Sequence, residues 1–293
     1  MGLYSSMVSF YKSMEKNMIS ITITSKNESL HLPRLLKSLK LQTFKDFETI
    51  VVDNASTDGT KDIARKFGAR VFDKGPERSA QRNYGVQVSR GQYILVLDAD
   101  MTLAPGVLAD CIGVVTNDPK VGALIIPEKS FGIGFWTKYK VFEREFYVGD
   151  KTIEAPRFFK KTTFKKFNGY DTGITGPEDY DLPLRMRKAG VKIGRIKSYI
   201  YHDEGRFSPF KSAKKKYYYA SHSGTFLKRH PEQVLSLGNL ILRPIFFKKW
   251  KKMISHPGLT LGMLIVKIFE GTGAFLGAIN SGIIVTAKHD KNT

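Results

Sequence analysis

Tyr93-Ile94-Leu95-Val96-Leu97-Asp98-Ala99-Asp100 sets five consecutive bulky, mostly apolar residues directly before two carboxylates spaced one residue apart. A short unbroken apolar run reads as a strand covered on both faces. It is the fourth of a series. Residues 19–24, 48–52 and 69–72 read as earlier strands, and residues 32–39, 60–67 and 79–89 as the helices between them. Strands alternating with helices over short connections predict an α/β fold, a Rossmann-like, mostly parallel sheet with helices on both faces. Ligands of such sheets collect beyond the carboxyl ends of the strands. Asp98 and Asp100 stand at one such end.

Further along, residues 121–126 and 154–159 read as strands with an aromatic, helix-like stretch at 135–148 between them. Residues 182–188 read as a helix ending at Gly190, and 192–201 as a returning strand. After Gly205 the character changes. The chain therefore divides into an extension at 1–17, the α/β domain at 18–206 and a basic, aromatic, helical region at 207–293. The formal charge of +20 is concentrated in that last region, with 14 Lys or Arg against 3 Asp or Glu, while 18–206 carries 31 against 23. Such asymmetry points to an anionic membrane surface or nucleic acid as partner. The 42% hydrophobic content, with 20 Phe, supplies a core and excludes global disorder. A single cysteine, Cys111, excludes an internal disulfide and a cysteine zinc site, and is expected as a buried thiol. Lys12, Glu15 and Lys16 interrupt residues 1–17, which lack the apolar run of a secretory signal. The machinery is expected to face the cytoplasm.

Two carboxylates beyond a buried strand can both approach one hard divalent cation, Mg²⁺ or Mn²⁺. Departure of a nucleoside diphosphate requires its charge to be neutralised, and such a cation does that. Asp53 ends the second strand and is expected to accept a hydrogen bond from the imino N–H of uracil or guanine, whereas Ser56 and Asp58 suit turn and cap. Thr24, Asn27 and Glu28 follow the first strand, the first and last as nucleoside contacts and Asn27 as the loop holder. Arg78 and Arg82, four apart on one helix, are expected to reach diphosphate oxygens, with a structural salt bridge as the equal alternative for Arg82. No G-x-G-x-x-G follows the first strand and no G-x-x-x-x-G-K-[ST] occurs, which argues against dehydrogenase and P-loop readings.

These segments, in this order, resemble family 2 glycosyltransferases of the GT-A fold. The resemblance extends through Gly75-Pro76-Glu77-Arg78-Ser79-Ala80-Gln81-Arg82-Asn83, Asn168-Gly169-Tyr170-Asp171 and Gly176-Pro177-Glu178-Asp179-Tyr180-Asp181, covering about residues 18–206. It implies an inverting displacement at an anomeric carbon from a UDP- or GDP-linked sugar. Asp179 matches the second residue of the family's E-D pair, the base that takes the acceptor proton, and Glu178 shapes its surroundings. The same carboxylates also suit the start of a helix. His202 is similar to a downstream histidine that completes the metal shell in some members.

In the last region Lys211, Lys214, Lys215 and Lys216 precede three tyrosines, and Leu242, Phe246, Trp250 and Met253 recur at helical spacing. Lys248, Lys251 and Lys252 fall largely off that stripe, the pattern of an interfacial helix. Residues 258–287 are long enough to span a bilayer but contain Lys267 and Glu270, which can pair at i,i+3. Gly273 and Gly277 allow close helix packing. Helices lying in or dipping into a membrane are expected, serving a lipid-linked or glycolipid acceptor. A polyprenyl or dolichyl phosphate acceptor is the nearest alternative. A basic nucleic-acid-binding module, with lysines beside tyrosines, is the alternative of another class. It leaves the clustered carboxylates unexplained, so no nucleic acid is expected.

Overall fold

The computed structural model describes residues 17–150, 153–230 and 243–281. Nearly all of the 1–17 extension, Leu242 and the end of the 258–287 stretch lie outside them. The chain forms two compact units, one of residues 1–128, 155–172 and 182–202, the other of 129–154, 173–181 and 203–293. The boundary drawn near 206 falls beside the last change of unit. Two earlier segments join the C-terminal residues for a reason invisible in linear order. Phe142, Phe146 and Tyr147 share one core cluster with Ile245, Phe246 and Met263.

In the first unit the strands are β1 (Ile19–Ser25), β2 (Phe47–Asp53), β3 (Arg70–Asp73), β4 (Tyr93–Asp98), β5 (Met101–Leu103) and β6 (Val121–Ile125). There follow β7 (Glu128–Phe131), at whose first residue the chain leaves the unit, then β8 (Phe158–Lys160), β9 (Lys192–Arg195) and β10 (Ile200–Asp203). Seven form one sheet in the order β3-β2-β1-β4-β8-β6-β9. Only β8 runs against its neighbours β4 and β6, so the sheet is mostly parallel as expected. Alternate residues of β4 enter opposite cores: Leu95 and Leu97 meet Leu35 and Leu108, while Ile94 and Val96 meet Phe159 and Leu182. That two-sided burial is why the strand reads as an unbroken apolar run.

Two expected strands come out differently. The strand expected over 154–159 begins only at Phe158, because Pro156 has no N–H to give the ladder. The strand expected over 192–201 divides into β9 and β10. Ser198 breaks it by donating from both its amide and its hydroxyl to Asp110 Oδ2, at 3.1 and 2.7 Å. β10 then pairs antiparallel with β5, setting His202 opposite Met101. His202 thus lies within a strand rather than after one. Cys111 is buried in helix Val107–Asn117, and burial pushes its thiol pKa up.

The second unit is helical. Helix Thr137–Tyr147 contributes Lys140 and Glu143, and helix Pro257–Asn280 contributes Lys267 and Glu270. Lys140 Nζ lies 2.9 Å from Glu143 Oε2 and 2.8 Å from Glu270 Oε1; Lys267 Nζ lies 3.0 Å from Glu143 Oε1 and from Glu270 Oε2. The i,i+3 pair exists, and each partner also finds an opposite charge on the other helix. Burial pushes the Glu270 carboxyl up, but Lys140 and Lys267 outweigh it and hold the pKa at about 2. The single amphipathic helix expected at 240–254 is two short ones, Pro244–Lys248 and Trp250–Ser255. They part at Lys249, whose ammonium caps the carbonyls of Phe146 and Val148 at 2.7 and 3.0 Å. Phe246 is therefore a core residue, whereas Trp250 is exposed.

Candidate active site at the carboxyl end of the sheet

The chain runs from β1 outward through β2 and β3, then returns to place β4 on the other side of β1. The reversal leaves a crevice at the carboxyl ends of β1 and β4, the position where open α/β sheets hold ligands. Register sets Thr24 opposite Asp98 there, and Ser25 opposite Asp53. The Thr24 hydroxyl donates to Asp98 Oδ1 at 3.1 Å. Gln81, on helix Arg78–Val88, ties the strands from below by donating to the carbonyls of Ser25 and Val52 at 3.1 and 2.7 Å.

Arg82, on the same helix, is fully buried and donates to Asp98 Oδ1 at 3.1 Å. Its guanidinium stands 5.1 Å from the centre of the Tyr170 ring. Asn83 brackets Tyr170, taking its amide at 3.0 Å and donating to its carbonyl at 2.7 Å. Arg157 approaches Asp98 Oδ2 at 3.5 Å. Burial alone would raise the Asp98 pKa, but Arg82, Arg157, Arg78 and His202 overcome it and hold the carboxyl well below the usual range. Asp98 is thus clasped by arginines. Of the two uses expected for Arg82, this geometry realises the ion pair.

Arg157 continues to Glu128 Oε1 at 2.6 Å, and Glu128 Oε2 stands 3.4 Å from His202 Nδ1. The other ring nitrogen, Nε2, points to Asp100 Oδ2 at 3.3 Å. Burial works against protonation of His202, but Asp100 and Glu128 on opposite sides push its pKa up to about 10. Glu128 and Arg157 were not among the residues singled out from sequence. Glu128 carried the right signal, a carboxylate just past an apolar strand. Arg157 was hidden inside a stretch read as plain strand.

Among the described residues no three His, Cys, Asp or Glu side chains are already gathered as a metal cage. Asp100 and His202 meet, while Asp98 is turned to its arginines. A divalent cation nonetheless fits this end of the sheet. Asp100 Oδ1 is buried with no hydrogen-bond partner, and an anionic oxygen in that condition is costly without a cation. Glu28 points the same way. Its pKa is raised by burial first, with Asp100 and Asp98 adding repulsion against the His31 hydrogen bond that lowers it.

The β1 and β2 loops lock each other. Asn27 adopts φ 55° and accepts the Thr57 amide on Oδ1 at 2.9 Å. Asp58 accepts the amides of Ser29 and Thr60 at 3.1 and 3.0 Å, a turn and cap role. Asp53 is fully buried. Its Oδ1 takes the hydroxyls of Ser25 and Ser56 at 2.9 and 2.6 Å, and Oδ2 takes the Ser56 amide at 2.7 Å. In this arrangement Asp53 builds the turn.

Glu178 and Asp179 belong to the second unit and open helix Glu178–Lys188, where the helix dipole favours carboxylates. Glu178 is buried and Asp179 half-buried. One turn on, the buried Asp181 is clasped by Arg229 at 3.1 Å and lies 3.0 Å from His230 Nε2.

The profile of the family described as "Glycosyl transferase family 2" matches residues 20–176. An uncharacterized glycosyltransferase of Haemophilus influenzae is 28% identical over 181 residues, 58% of this chain and 62% of that protein, so the chain spans less than two thirds of that relative. A PGL/p-HBAD biosynthesis glycosyltransferase of Mycobacterium bovis is 38% identical over 265 residues, 83% of this chain and 94% of that one. Among solved structures, the mannosyltransferase PcManGT from Pyrobaculum calidifontis, in complex with GDP-Man and Mn²⁺, has a TM-score of 0.60 at 17% identity, covering 90% of this chain and 86% of that one. At that identity the likeness is one of fold.

Proposed function

The chain belongs to glycosyl transferase family 2, and on that premise we propose that it moves a sugar from a UDP- or GDP-linked donor to a hydroxyl of a membrane-anchored, lipid-linked acceptor. Membership of the family rests on the matched profile and the GT-A-like fold on the structural likeness; the donor, the acceptor, the metal and the residue roles are the proposal. Its catalytic domain is 18–206 and its membrane-associating region 207–293, at the cytoplasmic face. The observation that carries the site is the convergence of Thr24 and the arginines on Asp98 at the reversal of strand order, with the Asp100–His202 pair two residues on.

Asp100 and His202, with Asp98, would hold Mn²⁺ or Mg²⁺, which when bound neutralises the departing diphosphate. The buried Oδ1 of Asp100 supports this assignment. Thr24, Asn27, Glu28 and Asp53 shape the nucleoside end, by contact or by holding the loops. Arg78 supplies positive charge toward the phosphates, and Arg82 fixes Asp98. Asp179 accepts the proton of the acceptor hydroxyl as its oxygen bonds to the anomeric carbon. The bond from that carbon to the diphosphate oxygen breaks, and the nucleoside diphosphate leaves with the electron pair. Glu178 sets the environment of that base.

A phosphate acceptor is already ionised and needs little base catalysis. Asp179→Asn is therefore expected to lower kcat by about 10²–10⁴ with a hydroxyl acceptor; near-normal turnover would transfer the reading to a polyprenyl phosphate. A thermal-shift series of UDP- and GDP-sugars with and without Mn²⁺ identifies the donor. Stabilisation that ignores the metal for every donor would remove the cation from the scheme.

A further inference from the structure

Helix Pro257–Asn280 is, among the described residues, the one helix long and apolar enough to cross a membrane by length and composition. Its two sides differ sharply. Lys267 and Glu270, its only charged residues, are buried in the four-charge square, and Gly273 and Gly277 press against the backbone of Ala213 and Tyr217 on helix Pro209–Ser221. The other side exposes Leu261, Ile268, Phe269, Phe275, Leu276 and Ile279. At 100° per residue these six fall within roughly a third of the circumference. No charge interrupts them. A contiguous exposed apolar stripe of this kind marks an interaction surface.

We propose that the second unit docks on an anionic bilayer by laying this stripe in the plane of the headgroup–acyl boundary, without crossing the membrane. The proposal deepens the membrane-anchored acceptor reading and names the surface that meets the lipid. Two observations choose this occupant and this orientation. First, from Phe207 to Ser281 the only acidic residue among those described is the buried Glu270. The exposed charges of this stretch outside ion pairs are Lys211, Lys214, Lys215, Lys228, Lys248 and Lys251, so a second copy meeting through it would set cation against cation while anionic headgroups are complementary. Just before the helix, exposed Phe247, Trp250 and Ile254 alternate with Lys248 and Lys251, an interfacial composition. Second, helix Pro209–Ser221 packs along the buried side at Gly273 and Gly277. An upright span would carry its exposed lysines to hydrocarbon depth, where ammonium groups are strongly disfavoured. A helix lying flat leaves them at the headgroups.

The test is flotation of the full chain with phosphatidylcholine vesicles, with and without phosphatidylglycerol. Binding is expected only with the anionic lipid and is expected to weaken with salt. Ile268→Glu/Phe275→Glu is expected to reduce the bound fraction more than about tenfold, and Lys248→Glu/Lys251→Glu by roughly fivefold for each lysine. In a Trp136→Phe background, brominated acyl chains are expected to quench Trp250, and alkaline carbonate to release the protein. Retention after carbonate would overturn the flat orientation. Equal binding to neutral vesicles would overturn the charge argument, and a dimer broken by Ile268→Glu/Phe275→Glu without any vesicle binding would make the occupant a second copy. Unchanged melting temperature in the variants guards against misfolding. Donor stabilisation without vesicle binding sinks the docking alone; vesicle binding with activity only on soluble acceptors sinks the lipid-acceptor reading alone.

Discussion

In the second unit, Lys140, Glu143, Lys267 and Glu270 form a closed square in which each lysine meets both glutamates. In the first unit, Arg82, Asp98, Arg157, Glu128, His202 and Asp100 form an open string. The square has side chains 2–9% exposed; the string runs from Arg82 at 0% to Asp100 at 34%. It ends on a buried oxygen with nothing to bond. Ion pairing serves different ends in the two networks. Closed compensation lets a helix with an apolar outer face bury its charges, whereas the open string leaves a buried carboxylate oxygen unbonded, the feature on which the proposed cation site rests.

The largest effect is expected from opening the square. Lys267→Met leaves two buried glutamates on one lysine and is expected to lower unfolding stability by about 3–5 kcal/mol, measured by urea denaturation. Little change would mean that the square relaxes on its own and that the contrast with the string is not real. Next, Asp100→Asn is expected to lower kcat/KM by about 10²–10³ while unfolding midpoints stay near those of the parent. A stability loss rivalling that of Lys267→Met would place Asp100 with the structural charges instead. Glu128→Gln sharpens the string at its middle. Because Glu128 orients His202 through Nδ1, Mn²⁺ affinity in the presence of donor is expected to fall about 10–100-fold by electron paramagnetic resonance. The smallest effect is on pH. Glu270 has a folded pKa of about 2 against 4.5 unfolded, so its contribution is complete above 4.5 and is lost as pH falls toward 2. Between pH 5 and pH 4 the loss is expected to stay under about 1 kcal/mol, and Glu270→Gln is expected to flatten that slope.

Much of the first unit is legible in residue order because its information is local. Parallel strands buried on both faces must be apolar runs, and Tyr93–Asp98 can hardly be anything else. Asp98 and Asp100 follow from position alone, and Asn27 and Asp58 from turn chemistry. The partners of those residues are not local. Asp98 is defined by Arg82, sixteen positions away, and by Arg157, and His202 meets Asp100 across 102. Lys267 and Glu270 read as charges that a membrane helix should not contain, until Lys140 and Glu143, more than 120 positions earlier, close on them. The sequence by itself determined the α/β sheet and its family, because hydrophobic periodicity and turn residues act over a few positions. Only the tertiary structure decided which carboxylates are clasped, which oxygen is left open and which helix face is exposed, because a charge takes its meaning from whatever the fold brings within about 4 Å.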